Sequence, residues 1–396
     1  MEFIRPDINL DFVGKRRLAF IVSGLLVLMT VVSLVLHGGP NYGIDFAGGI
    51  LIQVRFDKPT DAAAIKEALA PIGMGDSLVQ KFEGKGNEFL IRAEKKGLKL
   101  QGLSDKVRRA LKARYGEGFE VRRVEMVGPK VGRDLRRKAL LAIFYAILLI
   151  AVYISGRFEA KWGLAAVMAG VLVGATLLVQ AVFSGGIVPL IITALVVTVG
   201  ACWLLRLRYA LGAIVALIHD VVITVGVFSV LDKEFTLAIV AALLTIIGYS
   251  LNDTIVVYDR VRENLRKGTK QDLGEVINRS VNQTLSRTLL TSGTTLIVIL
   301  ALYILGGGVI QDFALALLVG VVVGTYSSIY VASSLLMVLP EGTPIFGLGR
   351  KPKPAPPKPT PKPAAAPSPA AASSPAKSSA RRKRNKKKKK SRRKRK

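Results

Sequence analysis

Cysteine is nearly absent from this 396-residue chain. The single one, Cys202, lies inside an apolar run, so no intramolecular disulfide can form. There are only two histidines, too few with that cysteine to build a Cys/His metal cluster. The chain has no Walker A phosphate loop and no convincing Ser/His/Asp or Cys/His arrangement. An enzyme active site and a cofactor are therefore not expected, and any work done must draw on a gradient or a partner. Acid is scarce as well, with 27 Asp and Glu against 57 Lys and Arg, a formal net charge of +30. The excess is unevenly placed: from Arg350 to the C-terminus there are twenty basic residues and no acid, two-thirds of the total.

Apolar sequence is abundant, at 51% of residues. A membrane-spanning helix needs about 20 apolar residues. Eight runs qualify, at about 18–37, 138–156, 162–183, 187–205, 210–231, 235–258, 288–306 and 312–339. The first follows Lys15-Arg16-Arg17 and is succeeded by His37-Gly38-Gly39-Pro40, with no small-x-small cleavage site, so it reads as an uncleaved membrane helix. Basic connectors (Arg157 and Lys161, Arg206 and Arg208, Arg260 through Arg287, the tail) fall on one side if the helices alternate, and the loops at 184–186, 232–234 and 306–311 hold one Lys in total. Both termini are expected on the cytoplasmic side.

Residues 38–137 form one long loop on the opposite side, and the pattern within it is legible. Alternation predicts strands at Gly49 to Phe56 and Phe119 to Val127, and Asp76 to Phe82 and Glu88 to Ala93 read as two short strands around the turn Gly84-Lys85-Gly86-Asn87. Helical spacing covers Thr60 to Leu69, with Thr60 as N-cap, and Leu100 to Tyr115. The order β-α-β-β-α-β is that of a ferredoxin-like unit. The expected organisation is thus an α-helical polytopic membrane protein. Residues 1–37 form the N-terminal region and first span, 38–137 the ferredoxin-like domain, 138–340 the bundle and 341–396 the basic tail. Leu273, Val276, Ile277 and Val281 predict an amphipathic helix within 260–286, on the membrane surface or against the bundle.

Asp253 is the residue that most needs a reason. A carboxylate in an apolar run costs several kcal/mol unless it is paired or lines a wet cavity, and Ile255-Val256-Val257 continue the run beyond it. It is either a boundary carboxylate bathed in water or a functional group, with Asn252 and Ser250 as polar neighbours. Arg287, at the start of the next run, is either a snorkelling arginine or a charge partner for Asp253. His219-Asp220 lies about 16 Å of helical rise into its own run; because the two are adjacent and face different ways, only one need serve a pathway. Gly170/Gly174 and Gly320/Gly324 permit close helix packing and carry no assigned function. The tail, from Gly347 on, is Pro, Ala, Ser and Lys and then a basic block including Arg381, Arg382, Lys383, Arg384, Lys386, Lys387 and Lys388. It is expected to be disordered. It could bind anionic membrane lipids, a ribosome through RNA phosphates, or nothing in particular.

Several of these segments resemble one family. Tyr42-Gly43-Ile44-Asp45-Phe46-Ala47-Gly48-Gly49 resembles the early motif of the SecD/SecF family, Asp45, Gly48 and Gly49 being its matching positions. The stretches Gly248 to Asp253, Asp259-Arg260-Val261-Arg262-Glu263-Asn264 and Arg287 to Thr295 resemble the signature of its SecF branch, and Ser327 to Ala332 fits. The resemblance covers most of residues 1–340. It implies an RND-like accessory subunit of the Sec protein translocase in the bacterial inner membrane. Such a subunit works with SecD and SecYEG, with YidC a further candidate, and pulls exported preproteins outward on a proton or sodium gradient. It implies that Asp253 and Arg287 are the ion-pathway carboxylate and arginine, that Asn252 adjoins them, and that His219 and Asp220 match a His-Asp of the preceding helix. Two features depart from the family. The pair of runs at 162–205 makes eight spans where six are usual, and Arg157 to Ser184 echoes Arg206 to Ser229 without its His-Asp. The basic tail is the other. Two further readings are a small-solute exporter of RND type, which would have about twelve spans and two large soluble domains, and a ribosome-docking membrane protein acting through the tail.

Overall fold

The computed structural model describes residues 9–81, 87–93, 102–159, 187–267 and 272–337, together with four residue pairs between 162 and 174. Most of the expected span 162–183, most of the turn at 84–87 and the whole basic tail lie outside the described residues.

After helix α1 (Arg16–Leu36) comes a short helix the sequence did not predict, α2 (Ile44–Ala47). Then follow β1 (Gly49–Phe56), α3 (Ala62–Leu69), β2 (Leu78–Lys81), β3 (Glu88–Ala93), α4 (Leu103–Tyr115) and β4 (Phe119–Val127). The sheet order is β2-β3-β1-β4, with every neighbouring pair antiparallel, so β1 and β2 run parallel on either side of β3. Alternation makes this sheet: Ile50, Ile52, Val54 and Phe56 all point to one face, where they are buried with Ile65 and Leu69 of α3 and Val107 and Leu111 of α4. Thr60 is not the cap of α3. Asp61 is, its carboxylate accepting from the Ala62 N–H at 2.7 Å, while the Thr60 hydroxyl pairs with Tyr115 Oη. Both residues are good caps by type, and the side chain one position later has the reach.

The rest of the described chain is helical: α5 (Pro129–Glu159), α6 (Ile187–Leu204), α7 (Arg208–Val230), α8 (Leu237–Arg266), α9 (Leu273–Leu305) and α10 (Gly308–Ser327). Ser328–Ala332 then forms a π turn and Ser333–Leu335 a last α turn. Among the described residues six helices are long and apolar enough to cross a membrane: α1, α5, α7, α8, α9, and α10 with its continuation to Leu335. The protein is a polytopic membrane protein with a small sheet domain between its first and second such helices.

Two expectations about helix ends need correcting. Residues 260–266 belong to α8, and Leu273 onward is the first part of the 33-residue α9, so no separate surface helix exists among the described residues. The apolar positions Val276, Ile277 and Val281 face the bundle core, which is why the segment looked amphipathic. Arg287 therefore lies fourteen residues inside its helix, not at its start. Hydropathy marks where the apolar stretch stops, whereas hydrogen bonding carries a helix on until something caps it.

Lipid solvation inverts the usual burial. The buried residues of α1 are Ala19, Ser23, Thr30 and Ser33, while its Leu, Ile and Val side chains point outward. Small and hydroxyl residues make the helix contacts, as expected where lipid solvates apolar side chains as well as protein does.

Candidate functional site

Helices α7, α8, α9 and α10 meet along a seam of hydroxyls and carboxylates. Asp220, on α7, is fully buried. Its carboxylate accepts from Ser250 Oγ of α8 at 2.6 Å, from Ser327 Oγ of α10 at 2.9 Å and from His219 Nδ1 at 3.0 Å. The other ring nitrogen of His219 lies 3.0 Å from Ser23 Oγ on α1, which in turn is 3.1 Å from the Tyr326 hydroxyl. Both His219 and Asp220 therefore take part in hydrogen bonding between helices. The imidazole folds back onto its neighbour, and the pair forms one network with α1, α8 and α10.

Asp253 is 3% exposed, one turn of α8 beyond Ser250. It accepts from Ser292 Oγ of α9 at 3.2 Å, and Ser292 accepts from Thr325 Oγ1 of α10 at 2.8 Å. A hydroxyl chain therefore runs from α10 through α9 to the carboxylate on α8. Arg287 is exposed and makes no ion pair with Asp253 within 4.0 Å among the described contacts, although its charge acts on that carboxylate. Asn252 is exposed beside the buried aspartate. Asp253 is thus enclosed by the helices and not at an exposed end of α8.

The seam depends on α10. Its last residues Thr325, Tyr326 and Ser327, with Ser328 just after them, each reach a different helix or partner, Ser328 pairing with Thr254 at 2.9 Å. Close approach is set by Gly320 and Gly324. A methyl on Gly324 would stand 2.9 Å from Ser250 Cβ and 3.5 Å from Asp220 Oδ2, and one on Gly320 would overlap Ile246. The π turn begins at Ser328, directly beside this seam, and Tyr258 Oη donates to the Ala332 carbonyl within it at 3.1 Å. Such turns are frequent at functional positions in helices.

The other singled-out residues lie away from the seam. Asp45 accepts from the Leu237 N–H at 2.9 Å, capping α8 from outside it. Gly48, at φ +77°, packs against Pro129, where a side chain would collide with the start of α5. Asp259 pairs with Arg157 of α5 at 2.8 Å and Arg260 with Glu263 at 3.0 Å, at the end of α8 remote from the sheet. Arg381 through Lys388 lie outside the described residues. Sequence reasoning missed Ser23, Ser292 and Thr325 as network members. Ser23, Thr30 and Ser33 recur on one face of an otherwise apolar run, and that stripe was the available signal.

Among the described residues no group of three His, Cys, Asp or Glu side chains is placed to hold a metal. The arrangement can hold a buried negative charge or a proton on Asp253 and on Asp220, and can pass hydrogen bonds between four helices.

Comparison with known proteins agrees with this layout. The family model described as protein export membrane protein SecD/SecF, C-terminal, matches residues 106–200 and 170–342, and that of the SecD/SecF GG motif matches residues 34–60. The protein translocase subunit SecF of Magnetococcus marinus is 48% identical over 347 residues, 87% of this chain and 96% of that protein. Those of Vibrio alginolyticus and Escherichia coli O157:H7 are 40% and 38% identical, over 85% and 83% of this chain and 92% and 87% of theirs. The crystal structure of SecDF, a translocon-associated membrane protein from Thermus thermophilus, superposes with a TM-score of 0.61 at 31% identity over 85% of this chain. This chain spans 39% of the length of that one. On sequence, family model and fold together, the chain belongs to the SecF family of Sec protein translocase subunits.

Proposed function

We propose that this chain works with SecD and the SecYEG channel in the late export of preproteins, drawing on the proton or sodium gradient through Asp253. The observation that carries this is a carboxylate buried where three spanning helices meet, bonded among the described contacts by the Ser292 hydroxyl, with Arg287 near but not bonded. A buried group of this kind is expensive, and in membrane helices such residues mark ion pathways. Adding a proton or cation there changes what Ser292, Thr325 and Arg287 can offer it. That biases the bundle between two packings, and the sheet domain moves in consequence. His219 and Asp220 form the second half of the pathway.

The outward face of α8 and α9 supports a partner in the membrane. Ala241, Thr245, Gly248 and Asn252 form a stripe on the outside of α8, and Arg287, Thr291 and Thr294 are exposed on α9. Polar side chains seldom face lipid at this depth, and small residues invite a second helix. The relationship to SecDF makes a SecD helix the natural cover. In this reading the protein sits in the bacterial inner membrane with both termini cytoplasmic and residues 38–137 periplasmic. The basic tail binds ribosomes through phosphate contacts, YidC and membrane lipids being further neighbours. Asp253→Asn should keep SecD in co-purification and lose gradient-dependent export; export that still responds to the gradient would overturn the assignment of Asp253.

A further inference from the structure

The sheet domain is fastened to one place in the bundle with unusual density. Residues 234–237, where α8 begins, all meet the segment between α1 and the sheet or the sheet itself, Thr236 by packing its methyl against Gly43. The Leu237 N–H donates to Asp45 of α2 at 2.9 Å. The Phe235 N–H donates to the Asn41 carbonyl at 2.7 Å, and the Phe235 carbonyl accepts from Gly43 at 3.0 Å. The carboxylate of Glu234 meets the guanidinium of Arg92 at 2.7 Å. Arg92 projects from strand β3, is 4% exposed, and also donates to the Tyr42 carbonyl.

Packing alone would join two domains through apolar side chains. A buried arginine is costly to desolvate without a partner, and its fork fixes direction as well as distance. Arg92 therefore ties a sheet strand, the segment after α1 and the entry to α8 into one geometry. From Leu237 to Asp253, α8 runs unbroken and without proline for sixteen residues, about 24 Å. A shift of the helix at Asp253 is delivered to the residues that Arg92 and Asp45 grip.

We propose that Arg92, Glu234 and Asp45 are positioning residues that make the sheet domain move with α8, and that they transmit the ion-driven step. This rests on the role given to Asp253 above. The test uses the full chain assembled with SecD and the channel in vesicles, with export measured with and without an imposed gradient. Glu234→Gln and Arg92→Gln should each cut the gradient-stimulated component about fivefold or more, the lower end for coupling between sites. The gradient-independent component and the protease resistance of the sheet domain should stay at wild-type level. The paired exchange Arg92→Glu with Glu234→Arg should regain part of the stimulation. If removing a buried partner unfolds the domain, Asp45→Asn, which keeps size and an acceptor oxygen but removes the charge, carries the same expectation at smaller amplitude. Equal loss of both components would mean a structural role only and would overturn the proposal, as would unchanged stimulation or a folded exchanged pair no better than the single variants. Asp253→Asn run alongside separates the two ideas. If it keeps its stimulation, the ion assignment fails; if it loses stimulation while Glu234→Gln does not, only the coupling fails.

Discussion

Gly248 offers a perturbation whose sign reverses between the isolated chain and the complex. It lies on the outer stripe of α8, and among the described residues no neighbouring element comes within 4 Å of where a side chain would begin. The first carbon of the side chain in Gly248→Leu therefore enters open space. The substitution replaces a poor helix former in a helix interior by a good one, which favours the fold by up to about 1 kcal/mol. If a SecD helix covers the stripe at small-residue distance, the new side chain overpacks that contact at a cost of about 1–3 kcal/mol. That corresponds to binding weaker by about 5- to 150-fold. The assay is titration of labelled SecD into the reconstituted variant, beside thermal melting of the variant alone. The expected pair of results is an unchanged or slightly raised melting temperature with weakened SecD binding. Unchanged SecD binding would refute the covered-stripe reasoning, and a lower melting temperature would refute the claim that this position is open within the chain.

Other outcomes follow from the same geometry. Gly324→Ala places a methyl 2.9 Å from Ser250 Cβ, so it should cost about 1–3 kcal/mol, read as a lower melting temperature of the purified chain; an unchanged melt would contradict the close packing of α8 and α10. Asp61→Ala removes the cap of α3 and should destabilise the sheet domain by about 1 kcal/mol in denaturant titration; no change would contradict the capping hydrogen bond. Deleting the residues after Arg350 should leave export largely intact while abolishing ribosome co-sedimentation that weakens as salt rises; equal co-sedimentation with and without the tail would refute ribosome binding.

The parts of the fold that were legible in the sequence are those in which one physical signal acts alone. Period-two alternation gave β1 and β4 their ends, and on β1 the alternating Ile50, Ile52, Val54 and Phe56 are the side chains buried with α3 and α4. Apolar runs located the spans but not their limits, since α8 and α9 continue well past the apolar stretch as hydrogen-bonded helix. For the candidate site, the costly carboxylates stood out, because Asp253 and Asp220 are anomalies in apolar context. Their partners did not. Ser292, Thr325 and Ser23 are ordinary residues in a membrane helix, and only the crossing of α1, α9 and α10 gives them a carboxylate or an imidazole to meet. Arg287 misled in the opposite direction. Charge complementarity suggested contact, yet the structure satisfies Asp253 with a hydroxyl and leaves Arg287 exposed. Arg92 and Glu234 were hidden among ordinary charges of the soluble loop and a short connector, and only the sheet order brings them together.

The central claim is that the buried carboxylate of Asp253 is the group through which a gradient drives export. It is tested most directly in vesicles that hold the chain with SecD and the channel, by following one preprotein while the gradient is imposed and then collapsed. The wild-type chain should export faster with the gradient than without it. Asp253→Asn, with SecD bound and the sheet domain folded, should export at the collapsed-gradient rate in both conditions. A variant that still accelerates when the gradient is imposed would contradict the account.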